Sequence, residues 1–170
     1  AEGNVAGWEI TVGMEYFRRI NAVISAHDIV AFNANFAKHI IADNVFESVV
    51  PYGGCMIRAA GGANQVIIRN NLFVNFNSSA VDISGATGPR DLPAASALVT
   101  GNIFDMTAVD DEPKRRIAVD LTACEVTVSD NQIYVRGDCD PLLTGIRVRD
   151  DALNLIVHDN LLRNCGVGIA

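Results

Sequence analysis

Lysine is nearly missing from this chain. Of thirteen basic residues only Lys38 and Lys114 are lysines, and twenty acidic residues leave a formal net charge of −7. Nucleic-acid binding rests on dense cationic surface and commonly on aromatic stacking platforms, yet aromatics make up only 6% of the sequence. Nucleic acid is therefore not an expected partner. The same balance works against loose attraction to polyanionic sugars, so an acidic glycan needs a local arginine cluster or a bridging cation such as calcium. Long apolar runs are missing too. Although 49% of the chain is hydrophobic, no stretch approaches the roughly 18 consecutive apolar residues of a membrane-spanning helix. No membrane span is expected. The four cysteines, Cys55, Cys124, Cys139 and Cys165, form no CxxC pair, which speaks against zinc. Free thiols are the simplest expectation, and a Cys124–Cys139 bridge stays open if the protein is exported.

What the 170 residues do contain is a repeat. Five segments align: HIIADNVF (39–46), VIIRNNLF (66–73), ALVTGNIF (97–104), VTVSDNQI (126–133) and LIVHDNLL (155–162). Each carries an asparagine at its sixth place, Asn44, Asn71, Asn102, Asn131 and Asn160, at intervals of 27, 31, 29 and 29 residues. A second short apolar motif follows each time: CMIRA (55–59), AVDIS (80–84), IAVDL (117–121), GIRVR (145–149) and VGIA (167–170), with an earlier copy, DIVAF, at 28–32.

Residues two apart on a strand share a face. Ile41, Ile68, Val99, Val128 and Val157 recur three places before the asparagine, and Phe46, Phe73, Phe104, Ile133 and Leu162 two places after it. Both sets point into one core. In the second motif Ile57, Val81, Val119 and Ile146 recur with Ala59, Ile83, Leu121 and Val148 two places on. The β-branched content suits a pleated surface, and no helical pattern of length separates the strands, so a βαβ sheet is disfavoured. A period near 29 with short strands and no helix means stacked coils of a solenoid, neighbouring strands about 4.8 Å apart. The asparagines then form a ladder at a bend, each amide both donating and accepting. Loss of an inner member, Asn102 or Asn131, leaves buried partners unpaired at about 1–3 kcal/mol.

The run of apolar alternation, then NNxF or DNxI, then a gap and a GIxV-type strand resembles the parallel β-helix repeat of the pectate-lyase-like superfamily. The resemblance spans roughly residues 28–170 and implies a right-handed parallel β-helix of about five to six coils, all-β, with residues 1–27 an irregular N-terminal coil or cap. That superfamily holds polysaccharide lyases, glycoside hydrolases, tailspikes, adhesins and inert stalks, so the fold leaves the function open. The chain ends inside a strand at Gly166–Ala170; a solenoid needs a cap, so a longer parent helix or a covering element is expected. Within residues 1–27, WEITV (8–12) reads as a strand. EYFRRINAVI (15–24) reads equally as a further coil or a short helix across the opening.

Aligning the second motif places Arg58, Asp82, Asp120 and Arg147 at one outward position on consecutive coils. Carboxylates so placed can share a proton, chelate calcium, or act as an acid paired with a nucleophile or base. Superfamily lyases hold calcium against a uronate with acidic residues while Arg or Lys removes the C5 proton. Carried over, the resemblance makes Asp82 and Asp120 calcium or acid/base groups and Arg58 or Arg147 the base or substrate clamp. Against this stands a charge-balanced ladder on a solvated sheet. Gly-His-Gly, an NTD triplet and an RxPxxR run are all absent, which removes motif support for polygalacturonase or pectate lyase in particular. Insertions at 84–97 and 105–116 read as exposed loops; Asp110, Asp111 and Arg115 in the second are candidates to contact substrate across a groove. His158 beside Asp159 is a candidate general base.

A last column, Ile40, Ile67, Leu98 and Ile156, faces outward although apolar. Such a stripe calls for cover by a loop, a neighbouring domain or an identical subunit. Two functions follow as expectations: a carbohydrate-active β-helix, lyase or hydrolase, acting on an extracellular polysaccharide, or a non-catalytic β-helix for glycan binding, adhesion or assembly.

Overall fold

In the computed structural model the described residues are 30–32, 37–47, 55–59, 64–76, 78–84, 96–107, 115–122, 125–149 and 152–170. They form sixteen strands and no helix, so nothing among them is a helix long and apolar enough to cross a membrane. The first 29 residues, including the expected cap, lie outside the described residues.

The strands fall into three parallel sheets, one from each face of the solenoid. The first comprises β1 (Val30–Phe32), β4 (Ile57–Ala59), β7 (Ser79–Ser84), β10 (Arg116–Thr122), β13 (Asp140–Val148) and β16 (Cys165–Ile169), in that order. The second comprises β2 (Ala37–Ala42), β5 (Asn64–Arg69), β8 (Ala97–Thr100), β11 (Val126–Ser129) and β14 (Ile156–His158). The third comprises β3 (Val45–Glu47), β6 (Leu72–Val74), β9 (Ile103–Thr107), β12 (Gln132–Arg136) and β15 (Leu161–Arg163). Every pairing is between a strand and its copy in the neighbouring coil, so equivalent sequence positions stack. The chain is an all-β parallel solenoid.

The bend between second and third sheets shows how the sequence makes a corner. The residue before each ladder asparagine takes a left-handed conformation: Asp43, Asn70, Gly101, Asp130 and Asp159, with φ of 62°, 54°, 63°, 56° and 54°. Gly, Asn and Asp are the residue types that reach this region at least cost. The asparagine itself then turns inward. Asn71, Asn102 and Asn131 are buried. Each Oδ1 accepts from the backbone N–H and the Nδ2 of the asparagine one coil earlier, at 3.0 Å for both bonds from Asn71 to Asn102 and from Asn102 to Asn131. The spare amide hydrogen goes back to a carbonyl of the preceding coil, Ile68 O for Asn102 and Val99 O for Asn131, at 2.9 Å. The backbone carbonyls of Asn44, Asn71, Asn102 and Asn131 accept from Leu72, Ile103, Gln132 and Leu161. Both the side chains and the backbone of the corner are thus satisfied without water.

Below the corner the apolar positions stack in file. Phe46, Phe73 and Phe104 are fully buried, their rings 5.0 and 4.8 Å apart and within 9° of parallel. Ile133 and then Leu162 continue the register. Ile41, Ile68, Val99, Val128 and Val157 form a second file, and Ile57, Val81, Val119 and Ile146 a third, all four without exposed surface. Three apolar files on three faces close one continuous core. Cys139 carries a free, exposed thiol, and Cys165 is free as well; Cys124 lies outside the described residues.

A charged column on the first sheet

The first sheet brings Arg58, Asp82, Asp120 and Arg147 onto four consecutive rungs, as Cα partners in strict register. Their neighbours Ile57, Val81, Val119 and Ile146 fill the core, so alternation turns the charged set outward. Outward here does not mean wet. Asp82 is 6% exposed and Asp120 has no exposed surface at all.

Asp120 is gripped from one side by two arginines. Arg147 donates from Nε to Oδ1 at 3.0 Å and from Nη2 to Oδ2 at 2.5 Å. Arg149, two residues on and therefore on the same face, donates to the same two oxygens, from Nε to Oδ1 at 3.1 Å and from Nη2 to Oδ2. Burial pushes the Asp120 carboxyl up, but the hydrogen bonds from Arg147 and Arg149 and their charges outweigh it and hold the group below its ordinary value. It stays ionised. The Asp120 bond in turn raises Arg149.

Asp82 has a different setting. Arg58 Nε reaches its Oδ2 at 3.2 Å and Cys55 Sγ lies 3.7 Å from the same oxygen, while Oδ1 is buried with no hydrogen-bond partner. Burial, then the charge of Asp120, raise its pKa above the ordinary value; Arg58 and Arg149 oppose this and do not cancel it. Two carboxylates on adjacent rungs are driven apart in acidity.

This donor set does not fit calcium. Both oxygens of Asp120 are spent on guanidiniums, and three arginines outnumber two aspartates in the cluster. Among the described residues no group of three or more His, Cys, Asp or Glu side chains gathers to hold a metal. The cluster favours an anion. The side chains of Arg58, Arg147 and Arg149 are 41%, 32% and 45% exposed, so three guanidiniums show their outer edges to solvent while buried carboxylates fix their inner edges.

Of the other candidates, Arg115 is exposed just before β10 and stands outside the column. Its neighbour Arg116 is buried in an ion pair with Asp140 at 2.8 Å. Asp110 and Asp111 lie outside the described residues, as does most of both insertions. His158 sits at the end of β14, its Nδ1 2.8 Å from Asp159 Oδ2 on open surface, away from the column. The apolar stripe is a column of the second sheet, Ile40, Ile67, Leu98, Thr127 and Ile156 in register; Ile40 and Ile156 are exposed, Ile67 and Leu98 half-buried. Sequence reasoning overlooked Arg149 and Cys55. The first was within reach: Arg147 and Arg149 are two apart on a strand and must share a face. The second was not, because Cys55 precedes β4 and its approach to Asp82 depends on the turn.

Compared with known proteins, the family model described as "right handed beta helix region" matches residues 28–170. No curated protein and no solved structure matches the chain.

Proposed function

This chain belongs to the right-handed β-helix family, and from that premise we propose that it is a carbohydrate-active domain that grips an acidic extracellular polysaccharide on its first sheet. The observation that carries the reading is the row of half-exposed guanidiniums, Arg58, Arg147 and Arg149, anchored from beneath by Asp82 and Asp120. Rungs repeat about every 4.8 Å, close to the length of one sugar residue, so a chain of uronates lying along the solenoid axis meets a guanidinium more than once. Arginine suits this task because its planar fork pairs with carboxylate bidentately. The local positive row also supplies what a chain of net charge −7 otherwise lacks.

The burial of both carboxylates favours binding over bond cleavage. Asp120 has no oxygen left to offer a substrate, which makes it a positioning residue for Arg147 and Arg149. One feature supports the second reading, cleavage by a lyase or hydrolase: Asp82, with its raised pKa and unsatisfied Oδ1, stands beside an ionised Asp120, the asymmetry that an acid and base pair needs. Opening of the surroundings of Asp82 has to accompany such chemistry.

The test is retention of the protein on immobilised polygalacturonate against an uncharged polymer of the same length, at rising salt. Salt-sensitive retention on the acidic polymer alone, weakened by Arg58→Ala, supports the proposal; equal retention on both polymers ends it. Appearance of new reducing ends or unsaturated sugar in the same mixtures, lost in Asp82→Asn, decides for cleavage.

A further inference from the structure

Two cysteines meet where neighbouring strands of the first sheet begin. Cys139 immediately precedes β13, whose first residue, Asp140, is the Cα partner of Cys165 at the head of β16. The Asp140 N–H donates to the Asn164 carbonyl at 3.0 Å. That one bond ties the peptide after Cys139 to the peptide before Cys165. With rungs about 4.8 Å apart and a rise of about 3.3 Å per residue, an offset of one places the two cysteine Cα atoms about 6 Å apart. Disulfides span Cα separations of about 4.4–6.8 Å.

Strict pleating sends residues offset by one to opposite faces, but the pleat is interrupted on both strands here. Gly137 takes φ 102° and Asn164 φ 57°, and the register of β13 against β16 shifts between Asp140 and Thr144. The two thiols also feel one another. Burial raises the Cys165 pKa most, and of the two charges that add to the rise Cys139 comes ahead of Asp140, the rung partner. Among the described residues Cys165 Sγ makes two long contacts, 3.9 Å to Ile133 O and 3.8 Å to Arg163 O. A thiol is a weak donor, so a turn about χ1 releases it at little cost. Cys139 is exposed, although the strand it precedes is flanked on both sides, by β10 and β16.

We propose that Cys139 and Cys165 form a disulfide in oxidising surroundings, a staple that closes the coil running from 139 to 165. That coil carries Arg147 and Arg149, so the staple restrains the segment that presents both guanidiniums, while standing independently of the function proposed for them. The Cys139 thiolate attacks a small disulfide such as oxidised glutathione, releases one glutathione thiol and becomes a mixed disulfide. The Cys165 thiolate then displaces the second glutathione. The two protein thiols give up two protons and two electrons, and the S–S bond of the donor becomes two thiols. Closure waits on ionisation of Cys165, whose thiol is pushed up to about 11, so it quickens as pH rises. Once made, the link limits local opening of the coil between its ends.

The test equilibrates reduced protein with oxidised glutathione at about pH 8 and about pH 9, quenches with acid, and maps tryptic peptides without reduction. The expected product joins peptide 137–147 to the peptide that begins at Asn164, two hydrogens lighter than the separate pair. A mixed disulfide on Cys139 comes first, and its closure is about tenfold faster at the higher pH. Trypsin cuts the native linked protein at Arg147 and Arg149 at least about tenfold more slowly than the reduced protein. Cys165→Ser stops at the mixed disulfide and is cut at the same rate with and without glutathione. Two thiols left free, a Cys139 that keeps its glutathione at the higher pH, or a Cys139 joined instead to peptide 117–136, which holds Cys124, each overturns the proposal. Equal cutting of linked and reduced protein overturns the staple.

Discussion

Asp82 and Asp120 are Cα partners on neighbouring rungs, yet their surroundings push their acidities in opposite directions. Asp120 is held low by two guanidiniums; Asp82 is raised by burial and by Asp120 itself. The asymmetry has a thermodynamic signature. A carboxyl whose folded pKa lies below its ordinary value of 3.8 stabilises the fold above that pH, and the contribution is lost as pH falls through the lowered value. A carboxyl raised above 3.8 does the reverse: its contribution is complete at low pH and is lost as pH rises through the raised value.

Asp120→Asn and Asp82→Asn are accordingly expected to differ at neutral pH. Asp120→Asn leaves Arg147 and Arg149 without their shared counter-charge and costs about 2–3 kcal/mol, the worth of the charge-assisted bonds. Asp82→Asn removes a poorly compensated buried charge and stays within about 1 kcal/mol of wild type, on either side. Urea unfolding of both variants checks this, with the gap between them narrowing as pH falls toward 4. A larger loss for Asp82→Asn than for Asp120→Asn contradicts the account of the pair.

Asn102 stands in the middle of the corner ladder and Asn160 at one end of the described column. Asn102→Ala takes away the side-chain donor to the Ile68 carbonyl, one of the two donors to Asn131 Oδ1, and the acceptor of the Asn71 backbone N–H and Nδ2. With each buried orphan worth about 1–3 kcal/mol and some relaxation, a loss of about 3 kcal/mol is expected. Asn160 is only half-buried, so Asn160→Ala costs less, about 1 kcal/mol. Equal losses in urea titrations, at unchanged slope, count against a cooperative ladder.

Asp130 precedes a ladder asparagine at φ 56°. Asp130→Gly is expected to be neutral or slightly stabilising, since glycine reaches that region freely. Asp130→Val, β-branched and ill suited to positive φ, costs about 1–2 kcal/mol. At Gly101 an added methyl also meets Asn70 Oδ1 at 2.8 Å, on top of a φ of 63°, so Gly101→Ala is expected to be worse than alanine at the other corners. Thermal midpoints of the series, ordered by residue type at the corner, check the point.

These corner residues also show what the sequence made legible. The asparagine at a repeat of 27 to 31 residues fixes both the coil length and the register, because only one alignment puts Phe46, Phe73 and Phe104 in file and Arg58, Asp82, Asp120 and Arg147 on one face. Alternation then assigns inside and outside. What periodicity cannot report is the depth of water over an outward residue. Asp120 points away from the core and is nonetheless fully buried, because the arginine side chains fold over it. The candidate site was therefore legible as a juxtaposition of residues, while its partition into sealed anchors and exposed guanidiniums was not.

Cys139 and Cys165 provide a contrast in thiol reactivity. Burial, with lesser help from Cys139 and Asp140, pushes the Cys165 thiol up to about 11, whereas Cys139 is exposed on the turn that follows β12. The thiolate is the species that alkylates. At pH 8 less than about one part in a hundred of Cys165 is ionised by that value, and its sulfur is also partly shielded. Iodoacetamide at pH 8 is therefore expected to modify Cys139 first, with Cys165 following only slowly and accelerating about tenfold for each unit of pH until the value near 11 is approached. Peptide mass spectrometry over a time course separates the two sites. Matching rates at pH 8 contradict the burial argument, and with it the close packing of Cys165 against the β12 and β13 strands from which its raised pKa comes.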